Sequence, residues 1–180
     1  MLGSLYAATP LIDVPDLARQ LALAYGGEYR SLPSPLIVKD AYTHYNLVCN
    51  PQIRDCLALA RKASLIILGI DSADGIRLHQ LSQHFLSEED CKTLEEQGAV
   101  GHIFGQYFDM NGRIIDLDIN RCFVGLEIDA LKRIPVVIGV AAAEYKADAI
   151  LAAIRGRFIN SLVTDDLTAR IILKRAASVL

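Results

Sequence analysis

Three consecutive alanines, Ala141-Ala142-Ala143, close a short apolar run, and a single lysine, Lys146, follows them where a helical pattern begins. Small side chains let a backbone approach a bound molecule, and the start of a helix turns amide N–H groups and a positive dipole end outward. One mobile ammonium added to that arrangement suits an anion such as a phosphate or a sugar acid. Two other stretches have the same form, an apolar run ending in polar residues: Ile70-Asp71-Ser72 and Thr164-Asp165-Asp166. Each also has an ordinary reading. Lys146 is then a solvated side chain, the alanines pack helix on strand, and Thr164-Asp165-Asp166 caps a helix. Gly98-Ala99-Val100-Gly101-His102 likewise reads as a helix stop followed by a strand, with His102 in the core or on the surface. No Ser-His-Asp order and no paired-carboxylate spacing stands out, so no catalytic residue is assigned.

The elements that must position these residues alternate. Ser64 to Ile70 is a continuous apolar run of the kind buried on both faces of a parallel sheet. Val136 to Ala141 reads as a strand, Glu144 to Arg155 as a helix, Asn160 to Val163 as a strand, and Asp165 or Asp166 to about Ala176 as the last helix. Strand, helix, strand, helix with short links implies parallel pairing and right-handed crossovers. In open parallel sheets ligands bind beyond the carboxyl ends of the strands, so Asp71, Ala142 to Lys146 and Thr164-Asp165 are expected on one edge.

Upstream, Pro15 to Tyr25 and Pro51 to Ala63 carry apolar residues at helical spacing, with proline in the first turn of each. Ser87 with Glu88-Glu89-Asp90 opens a further helix that ends at Gly98. Residues 71–86, with His79 and His84, read as loop or irregular helix. In "IFGQYFDMNGRIIDLD" alternating apolar residues flank Asn111-Gly112, which predicts a hairpin turning there. Asp109 and Asn111 lack the later ligands of a calcium loop, and no metal site is expected. The fold class is α/β: a three-layer α/β/α, Rossmann-like sandwich with a mostly parallel sheet and an inserted β-hairpin. No G-x-G-x-x-G occurs, so a nicotinamide cofactor has no support, and no cofactor is expected.

Composition narrows the function. Lys+Arg number 18 against Asp+Glu 21 with no basic stripe, which argues against a nucleic-acid surface on this segment. The apolar runs are strand-length and too short to span a membrane, and no signal peptide is recognisable at the start. Cys49, Cys56, Cys91 and Cys122 are scattered without C-x-x-C spacing and read as reduced thiols of a cytoplasmic protein.

Four separated segments, "LPSPLIV" (32–38), "GAVGHIFGQYFDMNG" (98–112), "PVVIGVAAAEYKADAILAAIRG" (135–156) and "INSLVTDDLTARIIL" (159–173), resemble the effector-binding domain of SorC-type bacterial transcriptional regulators. The resemblance covers nearly the whole chain in order. It implies a fold similar to sugar-phosphate isomerases and deaminases, a sugar or sugar-phosphate effector, a homo-oligomer (a dimer first), and DNA contact only through a helix-turn-helix domain not present here. Residues 1–180 are then one effector domain truncated at its N-terminus, without the family's first strand and its Gly/Thr-rich phosphate loop. Gly3 and Ser4 match a loop whose amides contact phosphate, and Lys146 matches the effector-contacting lysine. Ala142-Ala143 replace a glycine pair, and His102 stands where many members carry an acidic residue that accepts from sugar hydroxyls. Two other functions remain open: an isomerase-like or Schiff-base enzyme using Lys146 with His102, Asp71 or Asp165, and an oligomerising fragment that has lost its ligand.

Overall fold

The computed structural model describes residues 14–74 and 86–177, which group into two compact units. The expected sites Gly3 and Ser4, and the histidines His79 and His84, lie outside the described residues.

The first unit contains the described residues up to Ala63 together with Asp118–Leu126. Its helices are α1 (Val14–Ala24), α2 (Ala41–Cys49) and α3 (Pro51–Ala60). Asp40 caps α2, its carboxylate accepting from the Thr43 amide at 2.8 Å and the Thr43 hydroxyl at 2.9 Å. Asn50 ends α2 and caps α3 by accepting from the Gln52 amide, and Pro51 supplies the fixed φ of a first helical residue. Ile53, Cys56 and Leu57 repeat at helical spacing on α3 and bury against Leu32 and Val124. Extended backbone joins Ile37 to Phe123 as an antiparallel bridge, completed by the Val124 amide donating to the Leu36 carbonyl.

The second unit contains Ser64–Leu117 and the residues from Glu127 onward. Three strands form a parallel sheet in the order β1 (Leu65–Gly69), β5 (Val136–Val140), β6 (Ser161–Val163). Its crossover from β5 to β6 runs through a single 3₁₀ turn (Glu144–Lys146) and helix α5 (Ala147–Arg155); α6 (Asp166–Ala177) follows β6. A second, antiparallel sheet consists of β2 (Asp71–Ser72), β3 (Ala99–Ile103) and β4 (Gln106–Asp109). Helix α4 (Glu88–Glu96) leads into β3, with Ser87 and Asp90 forming a reciprocal capping box. The architecture is α/β with a mainly parallel sheet and Rossmann-like strand–helix alternation.

Three expectations need correction. The hairpin turns at Phe104-Gly105, both at positive φ (58° and 81°), the pairing of a two-residue turn matched to strand twist. The Asn111-Gly112 turn is also present, built on the Asp109 carboxylate accepting from the Asn111 and Arg113 amides. It returns the chain only to an isolated bridge between Phe108 and Ile114. Residues 71–72, read as loop, are a strand, and through it the hairpin becomes a three-stranded sheet. The run 64–70 is covered on one face only. Leu68 and Ile70 are buried, whereas Leu65 and Ile67 are 48% and 56% exposed, and Val136, Val140 and Val163 share the exposed side by register.

Packing between β3 and α5 is close. A Cβ built on Gly101 would stand 2.5 Å from Cβ of Ala149 and 2.8 Å from the Asp71 carbonyl oxygen, so only glycine fits at this crossing. Ala147, Ala149, Ile150, Leu151, Ala152 and Ala153 are all buried, which makes α5 a core helix.

Candidate functional site

Asp71 enters the site because β1 ends at Gly69 and the chain turns at once into β2, where Asp71 pairs with His102 on β3. His102 in turn pairs with Tyr107 on β4. Directly opposed residues of neighbouring strands project from the same face, so Asp71, His102 and Tyr107 form one row across three strands. His102 is 4% exposed and its ring lies 4.9 Å from that of Tyr107. Their neighbours Ser72, Gly101 and Phe108 form the row of the other face, where Gly101 meets Ala149 on α5.

Lys146 reaches the row from the opposite element. Its ammonium Nζ donates to Asp71 Oδ1 at 2.6 Å, with the lysine side chain 19% exposed and the aspartate 46%. The 3₁₀ turn that carries it is closed by the Lys146 amide donating to the Ala143 carbonyl at 3.0 Å. The lysine side chain is thus mostly covered and charge-paired, and its aspartate partner is about half exposed.

The loop ahead of Lys146 is held from β6 and α6. Ala143 has φ 110°, in the region L-residues avoid, which costs on the order of 1–3 kcal/mol for a non-glycine residue. Its amide donates to Asp165 Oδ2 at 3.2 Å and to Thr168 Oγ1 at 3.0 Å. The Thr168 hydroxyl, fully buried, donates to Asp165 Oδ2 at 2.6 Å, and the Thr168 amide donates to Asp165 Oδ1 at 2.8 Å. Asp165 is therefore both the cap of α6 and an anchor for the strained alanine. Hydrogen bonds from Thr168, side chain first and then amide, hold its carboxyl below the ordinary value, with the Ala143 amide adding to the effect.

Of the residues expected from sequence, Asp71, His102, Lys146, Ala143 and Asp165 fall into two linked groups, the charged row and the anchored loop. Ala142 is exposed beside them. Thr164 precedes Asp165, and its buried Oγ1 has no hydrogen-bond partner among the described residues. Two residues of the arrangement were missed. Thr168 is signalled by the Asp165-x-x-Thr168 spacing of a helix cap. Tyr107 becomes visible once the hairpin is turned at Phe104-Gly105, which sets it opposite His102. Chemically the row offers a donor cation, an anionic acceptor, an imidazole and a phenol. Among the described residues no group of three or more His, Cys, Asp or Glu side chains could hold a metal ion.

Comparison with known proteins places the chain in a family. Residues 1–174 match the Sugar-bind family model, which describes a sugar-binding domain. The chain is 37% identical over 147 residues to transcriptional regulator LsrR of Enterobacter sp. (strain 638), a match covering 81% of the chain and 46% of the relative. It is 38% identical over 145 residues to LsrR of Escherichia coli O157:H7, covering 79% and 46%. The chain thus spans about half the length of the curated relatives it matches. In fold it is similar to the full-length sorbitol operon regulator SorC from Klebsiella pneumoniae (TM-score 0.85, 22% identity, 96% of this chain and 55% of that one). It is also similar to the sugar-binding domain of a transcriptional repressor from Vibrio fischeri (TM-score 0.83, 29% identity, 98% and 68%). On the family match over nearly its full length, the chain belongs to the sugar-binding domain family found in SorC-type transcriptional regulators.

Proposed function

We propose that this chain is the effector-binding domain of a cytoplasmic transcriptional regulator, and that it binds a sugar or sugar phosphate at the edge carrying Lys146, Asp71 and His102. The observation that carries the reading is the Lys146–Asp71 pair, 2.6 Å apart where the β1 and β5 ends meet. A polyol bearing an anionic group matches it: the ammonium donates to phosphate or carboxylate oxygens, and the aspartate accepts from hydroxyls. Asp71 also meets the need left by His102, which occupies the position where many SorC-type regulators carry an acid; the acceptor stands on the adjacent strand instead. DNA contact belongs to a helix-turn-helix domain elsewhere in the regulator, since this segment is near-neutral and has no basic stripe.

An enzyme built on Lys146 is the less favoured reading. A lysine that attacks a carbonyl must have its nitrogen free to reach the carbon, and here Nζ is engaged with Asp71 Oδ1 at 2.6 Å. The chain also acts as a homo-oligomer in this reading, a dimer formed through the exposed side of the parallel sheet. That side carries the exposed apolar side chains Leu65, Ile67, Val136, Val140 and Val163 on adjacent strands, and grouped exposed apolar residues mark interaction surfaces. In this reading a second copy of the chain covers that side.

A thermal-melting screen of the chain against pentose and hexose phosphates tests the ligand. A binder present at a hundred times its dissociation constant stabilises by about 2.7 kcal/mol, a shift of several degrees. No shift with any phosphorylated or free sugar would leave the oligomerising fragment as the surviving reading.

A further inference from the structure

Tyr107 is 2% exposed, and its hydroxyl is buried with no hydrogen-bond partner among the described residues. A phenol O–H left unmade in the interior costs about 1–3 kcal/mol, and phenylalanine would fill the same volume without that cost. The hydroxyl therefore calls for a partner that the described residues do not supply, and a bound ligand can be that partner. Its surroundings say which kind. Tyr107 stands opposite His102, which stands opposite Asp71, so the phenol belongs to the same sheet face as the ion-paired carboxylate. Burial, followed by the nearby Cys91 and the Asp71 charge, pushes the phenol up to about 12, so at neutral pH it is an uncharged donor. Asp71 and Lys146 already serve the anionic group and one hydroxyl in the reading above, and the row extends from them towards the buried end.

We propose that Tyr107 is a specificity-determining residue of this site, donating a hydrogen bond from its buried hydroxyl to a sugar oxygen at the end of the ligand away from Lys146. The inference rests on the sugar-phosphate reading and deepens it: the site discriminates among sugars by an oxygen placed to accept from the phenol. A site built to donate to a ligand oxygen rejects an analogue lacking it more strongly than an apolar wall does, because the donor is then left unpaired.

The test uses the full 180-residue chain as wild type, Tyr107→Phe and Lys146→Ala, titrated by calorimetry with ribose 5-phosphate, 2-deoxyribose 5-phosphate, fructose 6-phosphate and inorganic phosphate. For the tightest-binding sugar phosphate, Tyr107→Phe is expected to lower affinity about tenfold, the loss of one hydrogen bond. Its affinity for inorganic phosphate stays unchanged, whereas Lys146→Ala weakens both. The melting temperature of Tyr107→Phe stays level or rises, since an unmade hydroxyl is removed. Unchanged sugar-phosphate affinity in Tyr107→Phe, with Lys146→Ala weakened, overturns the Tyr107 role and leaves the binding site standing. A marked drop in melting temperature also overturns it, because the hydroxyl would then be serving the fold. If no sugar phosphate binds the wild type, the site reading fails and this inference falls with it.

Discussion

The ammonium of Lys146 and the carboxylate of Asp71 meet at 2.6 Å although 75 positions separate them in the chain. The contact links the turn after β5 to the strand that continues from β1, across the carboxyl edge of the parallel sheet. Lys146→Ala is expected to weaken binding of an anionic sugar by about 1.5–3 kcal/mol, the range for a charge-assisted hydrogen bond. Fold stability should change by less than about 1 kcal/mol, as for a partly exposed ion pair. Titration and thermal melting of the same variant measure the two effects separately; equal losses in both would make Lys146 structural.

Ala143 is held at φ 110° by the Asp165 and Thr168 side chains. Glycine adopts this conformation freely but carries about 0.5–1 kcal/mol more backbone entropy into the unfolded state. Because the strain is on the order of 1–3 kcal/mol, Ala143→Gly is expected to stabilise the fold by about 1 kcal/mol net. A lower melting temperature for Ala143→Gly would show that the strain is smaller than the entropy cost.

Asp165 gives the loop an acid sensitivity with a definite sign. Its folded carboxyl is held below the ordinary value of 3.8, so its contribution to stability is present above that value and is lost as pH falls through the lowered one. Melting temperature followed from pH 5 downward should therefore fall more steeply in wild type than in Asp165→Asn, which keeps a capping oxygen but does not titrate. Parallel curves would remove Asp165 from the acid transition.

Much of this arrangement is legible from residue order. The serine cap before α4, the glycine after it, the apolar runs of β1 and β5 and the alternation of β6 with α5 and α6 all follow from local chemistry. Asp71, Ala143, Lys146 and Asp165 are found by asking what stands at the ends of those runs. Other features resist for physical reasons. Helix α2 fully buries no side chain and packs only Leu47 and Val48 partly against the core, so its apolar pattern is weak, and Asp40-x-x-Thr43 is what marks its start. Strand β2 has two residues, too few for any periodicity, and its pairing with β3 is decided by tertiary contact. Asn111-Gly112 is the stronger turn signal in the abstract, yet Phe104-Gly105 makes the hairpin because it sets Gly101 against Ala149 and His102 against Asp71. An apolar run cannot report which of its two faces is covered, so the exposure of Leu65 and Ile67 is not legible in the sequence.

Gly101 is a point where the fold and the site depend on one hydrogen atom. Gly101→Ala adds a methyl 2.5 Å from the Ala149 methyl and 2.8 Å from the Asp71 carbonyl, and neither neighbour has a flexible end to move. Overpacking of this kind costs about 1–3 kcal/mol, and the displacement passes to β2, the strand holding Asp71. The variant should lose thermal stability and ligand affinity together, whereas Lys146→Ala loses affinity alone. Retained melting temperature in Gly101→Ala would mean that β3 and α5 separate at little cost.

The last expectation concerns the exposed side of the parallel sheet. Leu65, Ile67, Val136, Val140 and Val163 lie on adjacent strands, in register, with exposures between 37% and 57%. Covering them with a second copy removes apolar area from water at about 25 cal/mol per Å². Sedimentation of the chain at micromolar concentration should accordingly give the mass of a dimer. Ile67→Lys places a charge within the patch, on strand β1, where association would bury it unpaired, so this variant should sediment as a monomer. Its fold should survive, because Ile67 is 56% exposed and contributes little core volume. A wild-type monomer would refute the dimer, and a dimer unaffected by Ile67→Lys would move its interface elsewhere on the chain.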